Sequence, residues 1–388
     1  MTPGARIQAA IEILDAITDE TAAERALTGW ARRSRFAGSK DRAAVRDHVF
    51  QALRCWRSYA CLGGADTGRG RMIGALRADD TDPALLFTGV GHAPAPLSAV
   101  ELTSGTPAVT DADRLDLQPW LVERFQGSLG DDAERAAMAL RARAPVMLRV
   151  NLRKGSVDQA MQSLAADEIA TAPIDGINTA LQVIDNHRKV LSSATFQNGL
   201  VEFQDSSSQK AMQTIVLPAG ARILDYCAGG GGKALALAAR LDATIYAHDA
   251  DPSRMKDLPA RASRAGAQIR ILDEDAVARA APYDMVLCDV PCSGSGTWRR
   301  APDAKWRLSE ASLGALVDVQ SVILDTARSL IAPGGTLVYA TCSVLREENE
   351  QQIEEFVRRH SGWSVVSVAR LPISAVGDGF FVAHLLRE

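Results

Sequence analysis

The chain is poor in aromatic residues and nearly balanced in charge, and its 388 residues hold no apolar run long enough to cross a bilayer. Its six cysteines, at 55, 61, 227, 288, 292 and 342, form no CxxC pair and have no neighbouring histidines. That spacing excludes the usual zinc motifs, so no metal is expected. A formal net charge of −4 excludes a protein that coats nucleic acid with its whole surface. Any nucleic-acid contact must come from a local patch. There is no internal repeat and no low-complexity tract. The opening residues, Met1 to Arg6, lead into an amphipathic pattern and not a secretory leader. The expectation is a cytoplasmic monomer with reduced thiols and no membrane partner.

What is present is organised in three stretches, as the length suggests. Residues 5 to 60 carry apolar side chains at helical spacing, among them Ile7, Ile11, Leu14, Val45, Val49 and Leu53. Between Arg32 and Arg57 there are eight Lys/Arg against two acids, a net of +6 on a chain that is acidic as a whole. Such a run is either a solvated helical face or a nucleic-acid contact. A loop-rich section follows to 118, then two helices near 119–125 and 131–143. At Val146 the pattern changes to a small α+β unit that ends near Gln204. From 211 onward strands and helices alternate. Strands are expected at 222–227, 244–249, 268–272, 283–289 and 336–341, with helices at 233–241, 252–265, 309–331 and 347–360 and a closing strand near 379–385. This alternation implies a parallel sheet covered on both faces. The expected domains are therefore 1–135, 140–205 and 206–388.

The first of these strands ends at Asp225 and runs through Cys227 and Ala228 into Gly229, Gly230, Gly231, Gly232 and Lys233. A glycine-rich turn between strand and helix lets backbone amides approach a ligand, with a helix N-terminus behind them. Asp249 ends the second strand, where an acid can accept hydrogen bonds from ribose hydroxyls. Asp275, with Asp273 as a close competitor, is placed for an adenine amino group, although either acid can equally cap a loop. Gly229, Gly231 and Ala234 also satisfy G-x-G-x-x-A, so a nicotinamide cofactor is a competing reading.

Two further strands each lead into a cysteine. Tyr283 to Leu287 runs to Asp289-Val290-Pro291-Cys292, and Gly335 to Ala340 runs to Thr341-Cys342-Ser343. If these strands are neighbours, about 4.8 Å apart, both thiols reach one small planar substrate. Two thiols, a carboxylate and an adenosine-type cofactor suit methylation at carbon 5 of a pyrimidine. A thiolate adds at carbon 6, carbon 5 becomes nucleophilic, and a base later removes the carbon 5 proton.

These residues resemble the RNA cytosine-C5 methyltransferases of the NOL1/NOP2/Sun type. The likeness rests on Asp289-Val290-Pro291-Cys292-Ser293-Gly294-x-Gly296, then Arg299-Arg300-x-Pro302-Asp303-x-Lys305-Trp306. It continues in Tyr339-Ala340-Thr341-Cys342-Ser343 with Glu347-Glu348-Asn349, and in Asp378-Gly379-Phe380-Phe381. Residues 1 to 125 resemble the NusB-type helical RNA-binding domain more loosely, a combination found in the bacterial small-subunit rRNA methyltransferase B branch. The resemblance implies an α/β, Rossmann-like S-adenosylmethionine-dependent methyltransferase domain with a mostly parallel seven-stranded sheet. A small α+β (ferredoxin/RRM-like) subdomain and an all-α NusB-like domain would precede it. It implies that Cys342 attacks carbon 6, that Cys292 assists proton removal and release, and that Asp289 contacts the cytosine and the methionine part of S-adenosylmethionine. Asp249 would hold the ribose, Asp275 the adenine, and Asp225 with Cys227 to Lys233 would wrap the cofactor, joined by Arg254. Arg32, Arg33 and Arg35, with Arg299, Arg300 and Lys305, would hold the phosphates of the RNA, 16S rRNA before tRNA. A non-catalytic RNA-binding assembly factor is the alternative from another class.

One departure stands out. The family's loop reads Asp-x-Cys-Ala-Ala-Pro-Gly-Gly-Lys, and here Gly229-Gly230 take the places of Ala-Pro. The fixed proline φ is lost, and weaker or more induced cofactor binding is expected.

Overall fold

A computed structural model describes residues 1–17 and 21–388 and divides the chain into two compact units. The first comprises Met1–Arg143 together with Trp298–Ser309, and the second comprises Ala144–Thr297 and Glu310–Glu388.

The first unit is helical. Its core is built by helices Pro3–Asp15, Ala23–Arg33, Ser39–Arg54, Trp56–Gly63 and Gly68–Ala78. Their buried faces carry Ile7, Leu14, Leu27, Trp30, Val45, Val49, Leu53 and Ile73. The spacing of these residues is what makes each helix amphipathic, and burial of each large side chain contributes about 1.5–3 kcal/mol. Helices Pro119–Leu129 and Ala133–Leu140 complete the unit's own sequence.

The short segment Trp298–Ser309 returns from far along the chain to this core. Trp298 stacks on Phe125 with ring centroids 5.8 Å apart. Trp306 donates its indole N–H to the Leu53 carbonyl at 2.7 Å, and Gln118 donates to the Lys305 and Leu308 carbonyls at 2.6 and 2.8 Å.

The second unit contains two sheets. The smaller joins β1 (Val146–Val150), β2 (Thr171–Ile174), β3 (Ile177–Val183) and β4 (Val201–Phe203) in the order β2-β3-β1-β4, all antiparallel. Helix Val157–Ala166, begun by a Ser156/Gln159 capping box, covers it. The larger joins β5 (Ala221–Asp225), β6 (Ala243–Ala247), β7 (Ile269–Ile271), β8 (Tyr283–Asp289), β9 (Ile331–Thr341), β10 (Trp363–Leu371) and β11 (Phe380–Arg387). Their order is β10-β11-β9-β8-β5-β6-β7, and only β11 runs against its neighbours. Strands β5 and β8 read as nearly unbroken apolar runs because helices cover both their faces.

The small sheet is tied to the helices of the larger one through polar side chains of the loop after β1. Asn151 donates to the Ala265 carbonyl at 2.9 Å and Lys154 to the Arg264 carbonyl at 2.6 Å. Both carbonyls close helix Leu258–Ala265, where a cation also meets the negative end of the helix dipole.

The expected strands and helices are present within a few residues. Elements that were not expected include strand β2, helices Ser206–Gln213 and Pro302–Arg307, helix Glu274–Ala280, whose seven residues are too few for a period to show, and edge strand β10.

Candidate active site

Strands β5, β6, β8 and β9 end at one edge of the sheet and carry the acids and thiols there. Strands β8 and β9 are parallel neighbours, with Cys288 opposite Tyr339 and Asp289 opposite Ala340. Their continuations turn toward each other and bring Cys292 Sγ to 3.4 Å from Cys342 Sγ. That separation is a hydrogen-bond distance between two free sulfurs, either of which can donate, and not a disulfide, whose bond is about 2.05 Å. Both cysteines are half-buried and free.

The backbone fixes this approach. The Gly296 N–H donates to the Cys342 carbonyl at 2.9 Å, and the Gly379 N–H donates to the Gly296 carbonyl at 3.0 Å. A Cβ on Gly296 would stand 2.4 Å from the Gly379 carbonyl oxygen, so a side chain there would push the cysteine loop out of place.

Beneath the pair, Lys233 Nζ donates to Asp289 Oδ2 at 2.6 Å. Burial opposes the charge on Lys233, but Asp289 beside it and Asp225 behind it hold its pKa above the usual lysine value. The two thiols are made unequal. A hydrogen bond from Cys292 stabilises the Cys342 thiolate, burial and Asp289 oppose it, and the Lys233 charge and Thr297 add support, so Cys342 lies below an ordinary thiol. The same hydrogen bond, burial and the Glu348 carboxylate push Cys292 well above one. A thiol whose pKa is lowered beside one whose pKa is raised is an arrangement that can attack with one sulfur and move a proton with the other.

Around the glycine loop, Asp225 is buried and accepts from the Ala234 N–H at 3.1 Å through Oδ2, while Oδ1 has no hydrogen-bond partner. Burial, with Asp289 nearby, pushes its carboxyl up to about 7. Asp249 accepts from the Gly229 N–H at 2.9 Å and pairs with Arg254 at 3.2 Å. Gly231 has φ +77°, and a Cβ on it would lie 2.2 Å from Leu258 Cδ1. Only glycine fits there. The Gly230 carbonyl accepts from Arg261, itself paired with Glu202 of β4. A side-chain clamp from outside the loop thus stands where the proline's stiffness is lost.

The family model for 16S rRNA methyltransferase RsmB/F matches residues 212–386, and that for the RsmF/B-like ferredoxin-like domain matches residues 118–190. Ribosomal RNA small subunit methyltransferase B of Xylella fastidiosa (strain Temecula1) is 36% identical over 287 residues, covering 69% of this chain and 66% of that protein. Its counterpart in Enterobacter sp. (strain 638) is 34% identical over 295 residues, covering 72% of this chain and 68% of that protein. The chain belongs to the RsmB/F family of 16S rRNA methyltransferases. It spans about two thirds of the length of these curated relatives. The crystal structure of PH0851 shares the fold over 99% of both chains, with a TM-score of 0.76 at 24% identity.

Within this family frame, most of the residues singled out above gather at one edge: Asp225, the loop Cys227 to Lys233, Asp249, Arg254, Asp289, Cys292 and Cys342. Of the two competing acids after β7, Asp273 is occupied as the N-cap of helix Glu274–Ala280, accepting from the Ala276 N–H at 2.7 Å. Asp275 lies exposed in the first turn of that helix. The basic loop requires a correction. Arg299 and Lys305 are 3% and 1% exposed and lie in the core of the helical unit, so neither can hold a phosphate there. Arg300 is exposed, as are Arg32, Arg33 and Arg35.

Glu348, part of the resemblance above but given no role there, joins the two cysteine loops. This fully buried carboxylate accepts from the Ser293 N–H at 2.7 Å, from the Ser293 and Ser343 hydroxyls, and from Gln320 Nε2 at 3.1 Å. Each serine follows a site cysteine directly, so one side chain sets the position of both thiols. The signal was its place in the motif Glu347-Glu348-Asn349, six residues after Cys342, in a run that also reads as a helix start.

Proposed function

We propose that the chain is an S-adenosylmethionine-dependent RNA cytosine-C5 methyltransferase acting on small-subunit rRNA through a covalent Cys342 adduct. The observation that carries this reading is the 3.4 Å contact between two unequal thiols at the ends of neighbouring parallel strands, above the Lys233–Asp289 pair. Cys342 adds as thiolate to carbon 6 of the cytosine, which places an electron pair at carbon 5. Asp289, oriented by Lys233, contacts the ring. Once carbon 5 carries the new methyl group, Cys292 takes part in removing its remaining proton, and the carbon 6–sulfur bond breaks to restore the ring and the thiolate.

S-adenosylmethionine, when bound, supplies an activated methyl group. The residues present fit it. Asp225 leaves a buried oxygen unpaired, Asp249 faces the glycine loop, and that loop leaves backbone exposed where side chains would block approach. Asp249 would hold the ribose, Asp275 the adenine, and residues 227 to 233 with Arg254 the remainder. The cytosine must be unstacked to meet both sulfurs on one ring face. The helical unit, with Arg32, Arg33 and Arg35 exposed, would serve as an RNA-holding domain of the NusB type.

Bisulfite sequencing of total RNA from cells with and without the gene tests reaction and substrate together. Loss of one protected cytosine in small-subunit rRNA is the expected result. Loss in tRNA instead would overturn the substrate, and no loss would favour a non-catalytic assembly factor. Independently, Cys292→Ala should trap a covalent RNA adduct on a denaturing gel, and Cys292→Ala/Cys342→Ala should abolish it. Without an adduct, the role given to Cys292 fails.

A further inference from the structure

The turn between helices Ala23–Arg33 and Ser39–Arg54 presents a single aromatic ring to solvent among four cations. Phe36 is 74% exposed, and it is the one aromatic among the exposed large apolar side chains of the described residues. Isolated exposed apolar residues are common on proteins. This one is held in place by the turn around it. Its neighbours Ser34 and Ala37 are buried. The Ser34 N–H donates to the Trp30 carbonyl at 2.9 Å and the Ala37 N–H to the Ser34 carbonyl at 3.0 Å. Arg42 Nε closes the turn on the Ala37 carbonyl at 2.9 Å. The chain is therefore anchored on both sides of Phe36, and the ring is directed outward by a fixed backbone.

The charge around the ring is of one sign. Arg32, Arg33, Arg35 and Lys40 are exposed, and no acid occurs between residues 32 and 40. The next acid, Asp41, is taken up by the N-terminal amine at 3.1 Å and by Arg6 at 2.8 Å. Further along, Arg46 is paired with Glu24. The four cations nearest the ring thus face solvent with no neighbouring carboxylate from the same turn.

A protein partner would need on the order of 800 Å² of complementary surface a side, with apolar residues at its core, and the turn offers one ring among cations. A nucleic-acid duplex would satisfy the cations but give the ring no base face. Single-stranded nucleic acid satisfies both, since bases stack on aromatic rings while the flanking phosphates meet Lys and Arg.

We propose that this turn is a stacking platform for single-stranded RNA, with an unpaired base on Phe36 and the adjoining phosphates on Arg32, Arg33, Arg35 and Lys40. The proposal rests on the reading of the chain as an RNA-binding enzyme. It adds a base-contacting residue, and hence a preference for unpaired RNA, to what would otherwise be an unselective basic patch.

The test uses the full chain, a short single-stranded RNA oligonucleotide of mixed sequence and a duplex of equal length, each titrated across a salt series. Phe36→Ala should weaken binding of the single strand about 5- to 150-fold, the range that stacking of one base implies. It should leave duplex binding and the slope of log K against log salt unchanged. Phe36→Tyr should restore most of the loss and Phe36→Leu should not. A Phe36→Trp variant should show emission quenched by the single strand.

Three outcomes overturn the proposal. If Phe36→Ala binds the single strand like wild type while reversal of Arg32, Arg33 and Arg35 weakens binding, the platform fails and the basic patch stands. If neither change matters, the RNA-holding role of the patch fails as well, whatever the bisulfite result. If Phe36→Ala instead changes the oligomeric state in size-exclusion chromatography, the ring covers a protein surface.

Discussion

Two basic stretches look alike in the sequence and have opposite fates in the structure. Arg32 to Lys40 puts four cations on a turn, exposed to solvent. Arg299 to Lys305, shortly after Cys292 in the sequence, carries three cations against one acid, yet Arg299 and Lys305 are buried. What separates them is the supply of acceptors. Lys305 Nζ donates to the Arg54 carbonyl at 3.3 Å and lies 4.6 Å from the Trp306 ring centroid. The buried carboxylate of Asp116 belongs to the same unit, held by Arg141 at 2.9 Å and by Ser58 Oγ at 2.7 Å. A cation with a carbonyl, an aromatic face and a nearby carboxylate can be taken from water. Among the described residues, Arg32, Arg33 and Arg35 have no such acceptors around them and lie exposed. The lesson is that a basic run is an address for an anion only where the fold leaves the cations outside.

The difference can be sharpened by inverting one charge in the buried stretch. Lys305→Glu would set a second carboxylate in the core beside Asp116, and the loss of stability should exceed about 4 kcal/mol. Urea unfolding followed by tryptophan fluorescence reads this well, because Trp56, Trp298 and Trp306 all lie in the helical unit. An unchanged midpoint would mean that the segment is not part of that core.

A smaller effect follows from pH. Burial brings Lys305 down to about 8, against about 10.4 for a lysine in the unfolded chain. Below the folded value both states carry the proton, and the full cost of burying the charge is borne. Between about 8 and 10.4 the unfolded chain binds the proton that the folded chain has released, so stability rises with pH, by at most about 1.4 kcal/mol per unit. Lys305→Met removes this gain. The wild-type-minus-variant difference should be flat below pH 8 and climb above it, since Asp116, Cys55, Arg54 and Arg141 titrate in both proteins. A difference that falls as pH rises would contradict the burial of a charged lysine.

The large sheet and its site were legible because their signals are local. The apolar runs of β5 and β8, the glycines after Asp225 and the cysteines after β8 and β9 are each contained in about ten residues. Edge strand β10 was missed because Val365, Val366 and Val368 are all exposed, so the alternation that marks a half-buried strand is broken. A shift of register between Val365 and Ser367 adds to this. The burial of Lys305 depends on a carbonyl 251 residues away, and no window of sequence contains both. Glu348 shares the limitation, since its partners include Ser293 and Gln320 as well as the nearby Ser343. Phe36 was hidden differently: within a charge run, the one uncharged ring is easily read past.

The smallest expected effect on stability comes from the exposed stretch, and it sharpens the comparison most. Arg32→Glu, Arg33→Glu and Arg35→Glu together replace three charges that face solvent, so the unfolding free energy should move by no more than about 0.5 kcal/mol. The end of helix Ala23–Arg33 loses favourable dipole contacts with Arg32 and Arg33, which accounts for much of that change. RNA binding should respond far more strongly. If each arginine neutralises one phosphate, the slope of log K against log salt becomes shallower by about three. One stretch would then govern stability with little effect on the salt slope, and the other the reverse. A triple variant that melts early with its slope unchanged would show that the two basic stretches are alike after all, and that exposure alone does not mark the one that meets RNA.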